Sequence, residues 1–173
     1  RKLDPGQTGL ILLTQSVAMA AVSPVAGRLS DRLEPRIVAS AGMGLTVAGL
    51  GWFCFLEVRT PFAAIIAALV ILGVGFGLFS PPNTNAVMGS VEKKDYGVAT
   101  ATIGTMRLTG HAASMGVAMA ILALFVGRAQ ITPALYERFV SGMRAAFLIS
   151  AALCVVGVFA SRARGNVRPA ARS

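Results

Sequence analysis

Two side chains could do chemistry in an unusual place. Arg107 and His111 lie four apart within a long apolar run, residues 98–126, a spacing that puts both on one face of a helix. A charged side chain at the centre of a membrane helix costs about 2.5–3.5 kcal/mol on insertion scales, so Arg107 needs a partner or water. The pair is therefore a candidate for intramembrane coupling. Two plainer readings stand beside it: an arginine that extends its head to the interface, and a neutral, packed histidine. Gln15, Asn83 and Asn85 are candidates to line a cavity, or else to cap helix ends. The acidic residues Asp4, Asp31, Glu34, Glu57, Glu92, Asp95 and Glu137 all fall in or beside the segments between apolar runs. No span carries a carboxylate, so a proton-driven protein would hold its main proton carrier outside this sequence. There is no Ser-His-Asp order, carboxylate pair or metal-ligand cluster, so the reading expects no enzyme, no metal and no other cofactor.

The elements that must position these residues are set by composition. Hydrophobic residues make up 55% of the chain and charged residues 13%, against about 25% charged in soluble domains. The net charge of +9 comes from basic residues scattered in short loops rather than in a patch, which argues for a membrane protein and against nucleic-acid binding. Cys54 and Cys154 sit inside apolar runs, with no CxxC spacing, and read as small buried hydrophobes. The apolar runs predict five membrane-spanning helices and no strands, at about 9–27, 37–56, 62–80, 98–126 and 144–161. Pro81-Pro82 is expected to stop or break the third span. A short amphipathic helix is expected around 135–140, before the fifth.

Between the first two spans lies GRLSDRLEPR, residues 27–36, expected as a ten-residue polar turn with Arg28, Arg32 and Arg36. Short loops rich in Lys and Arg stay cytoplasmic. That turn, the loop with Lys93 and Lys94, and the tail 162–173 with Arg162, Arg164, Arg168 and Arg172 share one side by parity. The opposite side holds the smaller set Arg1, Lys2, Arg59, Arg128, Arg138 and Arg144. The C-terminus is therefore expected in the cytoplasm. Small residues let membrane helices approach closely. Gly42, Gly44, Gly49 and Gly51 in the second span, Gly73 and Gly77 in the third, and Gly104, Gly110 and Gly116 in the fourth are the candidate packing positions. The run Gly73-Val-Gly75-Phe-Gly77 lacks the strand–turn–helix setting and the spacing of a dinucleotide loop.

The turn GRLSDRLEPR resembles the repeated loop motif of the major facilitator superfamily. Gly27, Leu29, Asp31, Arg32 and Arg36 match it, whereas Glu34 replaces a glycine and Pro35 a basic residue. The wider pattern is similar to the 14-span drug:proton antiporters: SPVAGRLSDR at 23–32, GLFSPPNTNAVMGSV at 77–91 and ATIGTMRLTGHAASMG at 101–116. The resemblance implies an incomplete C-terminal half of a six-span bundle, its first helix missing, in a multi-pass protein of the cell membrane. It implies proton-coupled efflux of drugs or other small molecules. The partners would be the lipid bilayer, an N-terminal transporter half, the substrate and protons. The start at Arg1 rather than Met fits a C-terminal fragment. It also implies that Asp31 docks on the positive N-terminal end of the fourth span, near residues 96–99, with Gly27 allowing close approach and the contact breaking as the halves rock. Two alternatives stay open: a solvated turn that only sets topology, and a truncated, non-transporting module packed on a partner.

Overall fold

The computed structural model describes residues 4–55, 57, 60–127 and 135–163. They form five long α-helices: α1 Pro5–Arg32, α2 Pro35–Cys54, α3 Phe62–Gly89, α4 Tyr96–Val126 and α5 Tyr136–Ala163, with a 3-10 turn at Lys93–Asp95 before α4. All five are long and apolar enough to cross a membrane, and no strand occurs among the described residues. Four of the helices overrun the expected spans, and α2 keeps the expected length but lies two residues earlier. At about 1.5 Å per residue, the 28 residues of α1 cover about 42 Å and the 31 of α4 about 46 Å. Both exceed a hydrocarbon core of about 30 Å, so they tilt or project from it.

The ten-residue turn at 27–36 is corrected to a turn of two residues, Leu33 and Glu34. The sequence forces this locally. Pro35 stands at the first helical position, where its fixed φ suits a helix start and its missing N–H costs nothing. The residue before a proline is pushed to extended backbone, and Glu34 has φ −61° and ψ 125°. Leu33 N–H donates to the Leu29 carbonyl (2.8 Å), closing α1, and Ile37 N–H donates to the Glu34 carbonyl (2.9 Å), opening α2. Arg28 and Arg32 thus occupy the last turns of α1, where cations favour the negative helix end. Arg36 pairs with Glu34.

Pro81-Pro82 does not stop α3, which runs on to Gly89. Each proline removes one backbone bond, to the Gly77 and Leu78 carbonyls, but membrane helices tolerate this where neighbours and hydroxyls compensate. Pro82 is fully buried. Thr84 Oγ1 donates to the Ser80 carbonyl across the proline pair (3.0 Å). Asn83 and Asn85 consequently lie within the helix rather than at its end. The separate helix expected near 135–140 is instead the first turns of α5. The tail from residue 164, and the loop cations Arg1, Lys2, Arg59 and Arg128, lie outside the described residues.

Helix α3 is the central strut, packed between α1 and α2. On its far side α2 packs on α5, which packs on α4. The core gathers Phe53, Ala68, Leu69 and Leu72, with Phe53 stacked on Phe147 of α5 at a ring-centroid distance of 5.0 Å. On α2 the buried residues Gly42, Thr46, Gly49 and Phe53 recur at helical spacing and face α3. A Cβ on Gly42 would stand 2.7 Å from both the Gly75 carbonyl oxygen and Phe79 N. On α3, Gly73 and Gly77 turn to α1. A Cβ on Gly73 would overlap the Gln15 carbonyl, and one on Gly77 would lie 3.0 Å from the Met19 carbonyl oxygen. Here backbone meets backbone, the close approach that small residues permit.

The other candidate glycines do not share this role. A Cβ on Gly44, Gly51, Gly104, Gly110 or Gly116 meets nothing within 4 Å. Helix α4 packs on α5 and touches α3 only slightly, so the glycine-bearing part of its surface is uncovered in this bundle.

Candidate functional site

One end of the bundle collects the Leu33–Glu34 turn and the Ser90–Asp95 connection, with the polar residues of α3 and α4 just inside it. Within this end Ser30 is buried although polar. Its hydroxyl donates to the Gly27 carbonyl (2.8 Å) and accepts from the Asn85 amide (3.3 Å). Asn85, itself exposed, therefore ties α3 to α1. Gln15 lies far from it. It borders an apolar cavity of about 410 Å³ with Thr8, Leu12, Phe53 and Phe147 near the other end. Asn85 is twelve residues beyond Gly73, which packs on Gln15, a separation of about 18 Å along α3. Asn83 is half-buried on α3. Of the candidate cavity residues, Gln15 and Asn85 thus lie toward opposite ends of the bundle.

Arg107 crosses from α4 to α3. Its Nη2 donates to Ser80 Oγ (3.2 Å) and to Thr84 Oγ1 (3.0 Å), the two hydroxyls that bracket Pro81-Pro82. Their position along α3 is about 8–14 Å from Gly89 by helical rise. The guanidinium is thus held on polar partners of α3, about two turns back from the Ser90–Asp95 connection. Its neighbour His111 is exposed. Its carbonyl accepts from Ser114 Oγ (3.0 Å), but its ring makes no hydrogen bond among the described residues. Ser30, Ser80 and Thr84 were not singled out from sequence. The available signal was hydroxyls beside prolines in an apolar run, facing a lone arginine on the next helix.

The loop motif is positioned differently from the expectation. Asp31 is exposed and has no hydrogen bond or ion pair among the described residues. Helices α1 and α4 share no packed interface. A Cβ on Gly27 would meet open space. Leu29 is likewise exposed. The structure therefore does not place Asp31 on the N-terminus of α4.

The family profile described as Major Facilitator Superfamily matches residues 1–172. The chain belongs to the Major Facilitator Superfamily. The five apolar helices are accordingly membrane spans of a multi-pass protein of a transporter family. Among curated relatives, the chain is similar to the uncharacterized transporter YebQ of Escherichia coli K12, 29% identical over 92% of this chain and 33% of YebQ. It is similar to the riboflavin transporter RibZ of Clostridioides difficile, 23% identical over 91% of this chain and 35% of RibZ. It is also similar to the multidrug resistance protein Stp of Mycobacterium tuberculosis, 31% identical over 73% of this chain and 23% of Stp. The chain thus spans about a third or less of the length of these superfamily relatives. No solved structure matches it significantly.

Proposed function

We propose that the chain is the C-terminal membrane portion of a proton-coupled exporter of drugs or other small molecules, with its C-terminus in the cytoplasm. One observation carries the reading: similarity along most of the chain to superfamily members that include a protein named for multidrug resistance and one named for lincomycin resistance, LmrB of Listeria monocytogenes. The polar tie between α3 and α4 in a largely apolar bundle supports it, because such residues mark pathways or gates in membrane proteins. The proton carrier and the other half of the bundle belong to the rest of the polypeptide in this reading.

The test is export by the full-length protein in a host deleted for its own multidrug pumps. Loaded cells should extrude ethidium or another member of a chemically mixed drug panel, and a protonophore should abolish extrusion. Extrusion that survives the protonophore would refute proton coupling. Extrusion of no compound would refute export.

Gly27, Leu29, Asp31, Arg32 and Arg36 take the conformational-switch role in this proposal. Asp31 engages the N-terminus of α4 in one state of the cycle and is released in another. A carboxylate at a helix N-terminus contributes about 0.3–1 kcal/mol, enough to shift a two-state balance about two- to fivefold. Asp31→Asn keeps the size and removes the charge. It should leave the amount of folded protein unchanged and lower transport by about that factor. Wild-type transport in this variant, with unchanged accessibility of the two faces, would reduce Asp31 to a topology residue.

A further inference from the structure

A guanidinium has five N–H donors and no acceptor. At Arg107, both hydrogen bonds to described residues leave from Nη2, toward Ser80 and Thr84. The Nε and Nη1 donors have no partner among the described residues, and the side chain is exposed. The two hydroxyls take up Nη2 and leave the Nε and Nη1 N–H groups as open, charge-assisted donors, each able to give a single bond to an oxyanion. Charge balance points the same way. Helices α3 and α4 carry no Asp or Glu, and the nearest carboxylates in sequence, Glu92 and Asp95, sit in the connection between them. Glu92 pairs with Lys94 (2.8 Å). Around the arginine the helices present Phe76, Met106 and Leu108, all exposed.

We infer that Arg107, held by Ser80 and Thr84, is a binding site for the oxyanion of an amphiphilic substrate, a carboxylate, sulfonate or phosphonate joined to an apolar body. The apolar body suits the surrounding side chains, and the anion neutralises a cation that no carboxylate pairs with among the described residues. The inference rests on the transport reading for the ligand's being a substrate, but the site itself is tested without transport.

The full-length protein, purified in detergent, is treated with phenylglyoxal, which modifies accessible guanidinium groups, and modification of Arg107 is followed by mass spectrometry. Benzoate, benzenesulfonate and phenylphosphonate serve as probes and benzamide as the uncharged control. At least one anion should slow modification of Arg107 by about fivefold when present at about four times its dissociation constant. Benzamide should not. Equal rates with all four compounds would overturn the proposal. So would an Arg107 that resists modification without any probe, because its open donors would then be covered by another part of the polypeptide. In the second arm, a folded Arg107→Gln variant should lose protection against carboxylate-bearing drugs in the export assay and keep protection against cationic ones, and Arg107→Lys should retain part. If all protection persists in Arg107→Gln, the site does not serve substrate, whereas export of nothing by the wild type defeats the transport reading alone.

Discussion

Replacing Gly42 or Gly73 by leucine is expected to remove folded protein from the membrane, whereas Gly44→Leu two residues away should be tolerated. At Gly42 the first added carbon would stand 2.7 Å from a carbonyl oxygen and a backbone nitrogen of α3. At Gly73 it would overlap the Gln15 carbonyl of α1. Neither neighbour is a flexible side-chain tip, so relief requires moving a whole helix. Overpacking a close-packed interior commonly costs about 1–3 kcal/mol when side chains can adjust. Backbone-to-backbone overlap should cost more than that. Because α3 is the strut between α1 and α2, Gly42→Leu parts one interface and Gly73→Leu the other. The measurement is the monodisperse fraction of the full-length protein by fluorescence-detected size exclusion, together with its melting temperature. Gly42→Leu and Gly73→Leu at wild-type yield and stability would show that these contacts do not hold the bundle.

The glycines show what was legible in the sequence and what was not. Small residues at spacings of three, four and seven mark a helix able to come close to another. They do not say whether another helix is there. Gly42, Gly49, Gly73 and Gly77 have a neighbour, while Gly44, Gly104, Gly110 and Gly116 meet open space, although nothing in their local sequence distinguishes them. Number and order of the spans followed from run length alone, since each apolar run exceeds what a soluble helix needs. Their ends did not follow, because a helix does not stop where hydrophobicity stops. Arg28 and Arg32 are polar but sit favourably at the C-terminal end of α1, and Ser80 through Asn85 remain helical despite two prolines. At the candidate site, the cost of an intramembrane charge made Arg107 conspicuous. Its partners were out of reach because Ser80 and Thr84 are 27 and 23 residues away, and only the meeting of α3 with α4 pairs them.

Orientation carries the rest of the account, since the proposed switch motif, the proposed Arg107 site and the proposed cytoplasmic position of the tail all depend on which end of the bundle faces inward. Single cysteines placed in a full-length protein lacking Cys54 and Cys154 give an all-or-none reading with a membrane-impermeant maleimide. Leu33→Cys and Lys94→Cys occupy the turns at the basic end; Glu57→Cys and Glu137→Cys occupy the other. Loops rich in Lys and Arg are retained in the cytoplasm, so Leu33→Cys and Lys94→Cys should label only from inside, and Glu57→Cys and Glu137→Cys only from outside. Labelling of Leu33→Cys and Glu57→Cys from the same side would mean that α2 does not cross the membrane, and a complete reversal of the pattern would put the basic loops outside; either result contradicts the account.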